Sequence, residues 1–243
     1  MLLLFPILRR LLFIAAFLAI PLVAGEIVAR KLVADAVKHA VRARIGVAPS
    51  VGFGPTPLLV QIARGKLDAV TLSANGARIG GLAPLTLRGT LHDVHLTSLT
   101  SLQGAIGSLS VDAELAAAGV RELIATPACI DSLPHGIRAA LTARPRIDLF
   151  PGRIDVLPPR GRGVEVRLRP YASPSSVQFA IAGLDLAGAP VSHVQLHAAR
   201  AQARCSRALR NLPFGVSLVS ARATTGALDL AFRGSNASFS ALG

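Results

Sequence analysis

A period-two alternation of apolar and polar residues is the feature that most limits how this chain can fold. Apolar residues recur at alternate positions in Val70–Ala74, Leu85–Leu91 and Leu109–Leu115. Successive side chains of a β-strand point to opposite faces of a sheet, so this spacing predicts antiparallel strands that are buried on one face. At His92–Asp93 the alternation shifts by one residue, so that Val94 and Leu96 become the inward residues, which predicts a β-bulge at that point.

The second half of the chain carries the same signal between shorter helical segments. Its predicted strands are Arg146–Leu149, Arg153–Val156, Val164–Leu168, Val177–Ile181, Val194–Ala198, Val216–Ala223 and Leu228–Phe232. Two short helices, divided by Pro127 and Pro134, are predicted in Gly119–Ala143, and another near Ser206–Asn211. The residues from Gly234 onward are expected to form a frayed tail.

One longer helix precedes the strands. Between Glu26 and Ile45 apolar residues recur at helical spacing and basic residues fill much of the remaining surface. A helix followed by antiparallel meanders, with short helices between them, predicts an α+β fold. The mean hydropathy of the whole chain, +0.53, is high for a soluble protein, and the N-terminal segment explains only part of it, because Ala, Val and Leu stay frequent to the end. A fold with an internal apolar cavity would account for the rest.

The first 25 residues have the pattern of an export signal. Arg9 and Arg10 precede an apolar run from Leu11 to Ala24, and the small residues there fit cleavage after Gly25. If it is not cleaved, the same segment is a membrane anchor. We therefore expect residues 26–243 to form a single domain outside the cytoplasm, in the periplasm or cell envelope.

The net charge of +13 at pH 7 does not by itself indicate a nucleic-acid binder. Lysine occurs only at Lys31, Lys38 and Lys66, and the arginines are scattered along a chain rich in Ala, Gly and Pro, as a GC-rich genome encodes by default. The absence of Trp and the single Tyr171 leave little for stacking on bases. An anionic membrane surface fits this charge better than a nucleic acid does.

The two cysteines, Cys129 and Cys205, predict a disulfide in an exported chain, with two buried free thiols as the alternative. No group of histidines lies near them in sequence to complete a zinc site. His92 and His95, three residues apart on a predicted strand, point to opposite faces unless a bulge intervenes. We expect neither a metal site nor a cofactor.

Enzyme motifs are absent from the sequence. It lacks the G-x-S-x-G elbow, the P-loop and the G-x-G-x-x-G fingerprint. Asp148 and Asp155 could form an acid/base pair, but each lies in an alternating strand where a solvated outer face is the ordinary explanation. We therefore predict no enzyme, and rank an envelope enzyme acting on glycolipids through these two acids last among the hypotheses.

Several segments after Gly25 resemble the LmeA-like phospholipid-binding proteins of actinobacteria. The Pro-Leu-Leu and Leu-Pro-Phe sequences are the most specific features of the resemblance, and no single motif is diagnostic. The matching segments are Glu26–Ala34, Val51–Leu59, Gln61–Gly65, Leu67–Leu72, Cys129 with Leu133–Pro134, and Leu212–Leu218.

The resemblance implies a tubular lipid-binding fold like that of bactericidal/permeability-increasing protein. In such a fold a curved antiparallel sheet wraps a long helix and leaves an apolar tunnel for acyl chains. We expect the helix to line the tunnel and a second group of apolar residues to form its mouth, with basic residues at the headgroup. The lining residues are Leu32, Val33, Val37 and Val41, those of the mouth are Leu58, Leu59 and Phe214, and the headgroup residues are Arg30, Lys31 and Arg64.

The resulting hypothesis is an exported envelope protein that binds phospholipid, phosphoinositides or glycolipids included, and supports envelope lipid or lipoglycan metabolism. Acyl chains need a continuous apolar lining, and arginines at the entrance suit a phosphate group. The alternative is a non-catalytic structural or interaction protein of the envelope, whose core is solid and holds no lipid. A filled interior would favour that alternative.

Overall fold

The computed structural model describes residues 4–98, 103–126, 129, 138, 145–158, 163–186, 188–202 and 205–240. The helices are α1 (Leu4–Ile45), α2 (Leu58–Ala63), α3 (Ala117–Ile124) and α4 (His193–Gln202), with a 3₁₀ turn at Pro213–Gly215. The first strands are β1 (Ser50–Phe53), β2 (Lys66–Ile79), β3 (Leu82–Ser98) and β4 (Gln103–Ala116). The middle strands are β5 (Arg146–Phe150), β6 (Arg153–Leu157), β7 (Val164–Ser173) and β8 (Ser176–Leu186). The last are β9 (Ala189–Pro190), β10 (Cys205–Ala208), β11 (Ser217–Ala223) and β12 (Ala227–Ser240).

The predicted α+β class is confirmed, and the strands divide between two open antiparallel sheets. The first sheet has the order β1-β2-β3-β4-β12-β11, and the second has the order β10-β8-β7-β6-β5 with β9 beside β8. Strand β12 comes last in the chain but pairs with β4, so the C-terminal hairpin completes the sheet that the first strands begin.

The inner face of the first sheet supplies much of the core through rows of apolar residues across its strands. One row joins Leu85, Leu115 and Leu228 to Ala223, each no more than 1% exposed. A parallel row passes from Leu87 through Ala113 and Leu230 to Ala221. These rows confirm that the alternation marks strands buried on one face.

The paired strands β3 and β4 both change the face that they bury, and they do so at the same place. On β3 the inward residues Leu91 and Val94 are three residues apart, whereas a regular strand would place them on opposite faces. The same spacing separates the buried residues Ile106 and Leu109 of β4. The pairing register continues unbroken, and Asp93 adopts a left-handed φ of 54°. The predicted change of phase is confirmed, but the cause is wrong: no extra residue is inserted.

The positions that face Asp93 on the neighbouring strands are also unusual. Gly107 lies opposite Asp93, and a side chain built at Gly107 would meet the Cβ of Asp93 at 2.8 Å. On β12 the corresponding position is Asn236, which also has a positive φ, of 52°. Asp and Asn tolerate this backbone region better than other non-glycine residues. The face change also leaves His92 and His95 both exposed, and no metal-binding group is found among the residues the structure describes.

Two predicted elements have the opposite type. The predicted strand Val194–Ala198 lies in helix α4, because Ser192 and Gln195 form a capping box: each side chain accepts from the backbone N–H of the other, at 3.2 and 3.3 Å. The predicted helix near Ser206–Asn211 contains strand β10, which pairs with β8.

The C-terminal prediction is also wrong. Residues from Gly234 continue β12 to Ser240, because β4 extends alongside and pairs Ala237 with Ile106. The first predicted short helix is confirmed as α3, which buries Val120, Leu123 and Ile124. Of the second, around residues 137–141, the structure describes only Arg138, and the rest lies outside the described residues.

Helix α1 contains the predicted Glu26–Ile45 helix and is continuous from Leu4. Large apolar residues are exposed in its middle section: Ile27 and Leu32 are 63% and 66% accessible. Among the described residues, no helix has the combination of length and apolar character that crossing a membrane requires.

The two cysteines form a disulfide in the structure. Cys129 and Cys205 lie 76 residues apart in sequence, and both are buried in the core. The bond ties the segment after α3 to the start of β10.

Candidate functional site: an apolar cleft under helix α1

An apolar cleft lies between the last turns of α1 and the inner face of the first sheet. Its volume is about 80 Å³, and Ser73 is the one polar residue among those lining it. Helix α1 contributes Val37, Val41 and Ile45. The sheet contributes Leu72, Ala74, Ile79, Leu87, Gly89, Leu91, Leu109, Val111 and Phe232, and loops add Pro49, Pro213, Phe214 and Val216. Such a lining suits hydrocarbon and offers no group for catalysis.

Gly89 leaves room for the cleft in the centre of the sheet. Its row runs from Leu72 on β2 through Gly89 and Val111 to Phe232 on β12, and the other three carry apolar side chains. A Cβ at Gly89 would lie 3.5 Å from Val111 Cγ2 and 3.8 Å from Leu72 Cβ, at ordinary van der Waals distance. The absence of a side chain at Gly89 therefore keeps space open in the cleft, although the neighbouring residues would also accept a Cβ atom there.

Phe214 is held in an unusual conformation beside the cleft. Its φ of 55° and ψ of 26° lie in the left-handed region, which is rare for a bulky residue and costs of order 1–3 kcal/mol. Gly215 follows with φ 63°, and Pro213 precedes it. The strained turn holds a half-buried phenylalanine among the cleft residues.

The structure brings three of the seven predicted lipid-contacting residues to this cleft: Val37, Val41 and Phe214. Leu58 is instead fully buried in the core, and Leu32 lies on the exposed part of α1. Val33 packs against the core but does not line the cleft, and Leu59 touches α1 near Gly25. Sequence reasoning missed Gly89 and the inner β3–β4 residues, since an apolar position on a strand does not reveal what it faces.

Glu26 joins α1 to the start of α2. Its carboxylate accepts the backbone N–H of Leu58 at 2.6 Å and that of Leu59 at 2.9 Å, and also the Nε–H of Arg30 at 2.6 Å. The two backbone donors, with Arg30, lower the pKa of Glu26 from 4.5 to about 2. The carboxylate thus satisfies the N–H groups that a helix leaves free at its first turn.

This capping carboxylate should make stability depend on pH in a defined window. Since the pKa of Glu26 is lower in the folded state, its contribution is complete above about pH 4.5 and is lost as the pH falls toward about 2. We expect Glu26→Gln to lower the melting temperature at pH 7. The difference from the wild type should shrink progressively between about pH 4.5 and pH 2, measured by circular dichroism.

Asp35→Asn provides the matched control on the same helix, because Asp35 pairs only with Lys38, at 3.2 Å, among the residues described. A Glu26→Gln melting curve identical to that of the wild type at pH 7 would contradict the capping role.

The predicted headgroup residues lie near this junction and away from the cleft lining. Arg30 is bound to Glu26, while Lys31 and Arg64 are exposed to solvent. Gln61, only 2% exposed, fixes the neighbouring loop: its side chain donates to the Thr56 carbonyl oxygen and accepts from the Asp68 backbone N–H, both at 2.8 Å. Headgroup contact by Arg30, Lys31 and Arg64 stays a prediction.

The two acids considered for catalysis form part of an ion-pair row on the second sheet. Asp148 lies directly opposite Asp155, and Asp155 lies opposite Arg167. Asp148 binds Arg146 at 2.6 Å, and Asp155 lies 3.2 Å from Arg153 Nε. Burial raises the pKa of Asp155, although Arg153 and Arg167 oppose the shift. The solvated outer face predicted for these acids is therefore wrong for Asp155, which is only 6% exposed and whose Oδ1 accepts no hydrogen bond within the described residues.

A second group of carboxylates lines an open depression on the outer face of the first sheet. It measures about 470 Å³ and contains Asp112, Glu114 and Asp229 together with Arg88 and Arg222. Burial and the opposing Glu114 raise the pKa of Asp229. The basic residues balance these acids, and the depression lies on the face of the sheet opposite the apolar cleft.

One protein family matches the chain. The model of the family described as LmeA-like phospholipid-binding covers residues 24–233, which include every cleft residue. No curated protein matches, and no solved structure does. The match begins at the point where the export-like segment ends.

Proposed function

Because the chain belongs to the LmeA-like phospholipid-binding family, we propose that it holds phospholipid acyl chains in the cleft under α1. The observation that carries the proposal is the apolar lining shared by Val37, Val41 and the inner face of the first sheet. Phosphoinositides and glycolipids are included among the lipids proposed. The family is a phospholipid-binding one and not a known enzyme family, and we propose a non-catalytic role.

The volume of the cleft limits how this binding can work. Each buried methylene contributes about 0.8 kcal/mol, so a chain inserted by about five methylenes binds with only about millimolar affinity. A cleft of about 80 Å³ is also small beside ordinary ligand pockets of roughly 300–1,000 Å³. We therefore propose that α1 moves away from the sheet on loading and that the cleft lengthens into the predicted tunnel.

We further propose that the protein is exported and acts in the periplasm or cell envelope, where it supports envelope lipid or lipoglycan metabolism. The pattern of Arg9 and Arg10 before an apolar run supports export. A disulfide between Cys129 and Cys205 fits an oxidising compartment. The first 25 residues would be a cleaved signal or a retained anchor, which mass measurement of the protein from its own envelope distinguishes.

Native mass spectrometry tests the binding proposal. Protein purified from its own cell envelope should carry phospholipid, and lipid-free protein should acquire it from vesicles that contain phosphatidylinositol. Failure in both experiments would overturn the proposal and favour the structural or interaction protein with a solid core.

A further inference from the structure

Five arginines lie on three chain segments that meet near the end of the cleft. We call Arg42, Arg44, Arg78, Arg207 and Arg210 the arginine rim. Arg42 and Arg44 lie in the last turn of α1, and Arg78 lies beside the turn between β2 and β3. Arg207 belongs to β10, and Arg210 follows that strand. Four of the five are exposed, and Arg207 is half-buried.

Contacts around the β2–β3 turn bring these segments together. A methyl group built on Gly46, just after α1, would lie 4.0 Å from Cδ of Arg78. One built on Gly81 in the turn would lie 3.5 Å from Nη2 of Arg207. The backbone N–H of Arg210 donates to the carbonyl oxygen of Gly80 at 3.2 Å.

The arginine rim lacks acidic partners within the described part of the chain. The ion pairs there use seven basic residues outside the rim, namely Arg30, Lys38, Lys66, Arg146, Arg153, Arg167 and Arg233. Attraction to the negative end of the α1 dipole explains Arg42 and Arg44. It does not explain the other three, which add like charge at the same end of the molecule and raise its potential.

The arginine rim adjoins the apolar cleft directly. Ile45 and Ile79, which line the cleft, follow Arg44 and Arg78 in sequence, and Pro213 lies three residues after Arg210. A guanidinium group can donate two parallel hydrogen bonds to two oxygens of one phosphate group. Because four of these arginines are exposed and come from separate segments, they match a surface carrying many phosphates better than one enclosed headgroup.

We infer that the arginine rim docks the protein onto an anionic phospholipid bilayer, with the adjoining end of the cleft facing the lipid. The inference rests on the proposed function, since docking at this end puts the cleft where a lipid can enter. A nucleic acid fits less well, because the chain has no tryptophan, its one tyrosine, Tyr171, lies on the second sheet, and Phe214, near the rim, is half-buried among the cleft residues.

Vesicle flotation tests the inference. The probes are vesicles of phosphatidylglycerol mixed with phosphatidylcholine, and vesicles of phosphatidylcholine alone. The test variant combines Arg42→Gln, Arg78→Gln and Arg210→Gln. Each arginine near an anionic surface contributes about fivefold to partitioning, so we expect about a hundredfold weaker binding to the anionic vesicles. Wild-type binding should weaken as salt is added.

The matched control combines Arg88→Gln, Arg169→Gln and Arg222→Gln, which removes the same charge from exposed positions outside the arginine rim. It should lose much less binding, and circular dichroism should show that both variants remain folded. Equal losses in the two variants would overturn the inference, as would equal wild-type binding to both vesicle types, or binding to a DNA duplex with none to vesicles.

The two proposals can fail separately. Protein that docks through the arginine rim but never carries lipid in native mass spectrometry would refute the proposed function alone. Protein that carries lipid but docks independently of the arginine rim would refute this inference alone.

Discussion

Replacing Gly89 with leucine is expected to weaken phospholipid binding about a hundredfold while the protein stays folded. A Cβ at Gly89 makes only ordinary van der Waals contacts with the neighbouring Leu72 and Val111, so the leucine side chain should extend into the cleft from the sheet. It would displace about four methylenes of an acyl chain, which corresponds to about 3 kcal/mol. Binding is measured by native mass spectrometry after titration with phosphatidylinositol vesicles.

Two control variants separate blockage of the cleft from damage to the sheet. Gly89→Ala adds only a methyl group at van der Waals distance and should keep most of the binding. Ala105→Leu adds comparable bulk at an exposed position of β4 and should bind as the wild type does. Wild-type affinity in folded Gly89→Leu protein would rule out the cleft as the acyl-chain site.

Removing the disulfide is expected to produce the largest loss of stability. The variant Cys129→Ala with Cys205→Ala should lower the free energy of unfolding by roughly 2–4 kcal/mol, because the bond closes a long loop and restricts the unfolded chain. Alanine avoids placing a hydroxyl group at two buried positions. Urea denaturation monitored by circular dichroism provides the measurement.

The wild-type protein under reducing conditions is the internal control. A reductant should bring its unfolding midpoint down to that of the double variant and leave the variant unchanged. Equal stability of the two proteins without reductant would mean that the disulfide does not contribute to folding. It would also weaken the case for an oxidising compartment, which draws on this bond.

Local sequence was sufficient where a period repeats over many residues. The alternation in Leu109–Leu115 correctly predicts a strand and the residues that it buries, and the helical spacing after Glu26 correctly predicts the second half of α1. It failed in Val194–Ala198, where only a few alternating residues stood against the capping box of Ser192 and Gln195. That Ser-x-x-Gln pattern was present in the sequence and could have identified α4.

Sequence periodicity alone was enough to predict the α+β class, the long helix and most strands, because it is a property of neighbouring residues. The sequence also carried the resemblance to a phospholipid-binding family. The tertiary structure decided that β12 extends to Ser240 along β4, that Glu26 caps α2, and that Gly89 lies under α1. These depend on register and packing between distant segments, which no local pattern encodes. For the same reason the arginines of the rim, scattered along the chain, come together only when the turn between β2 and β3 meets β10.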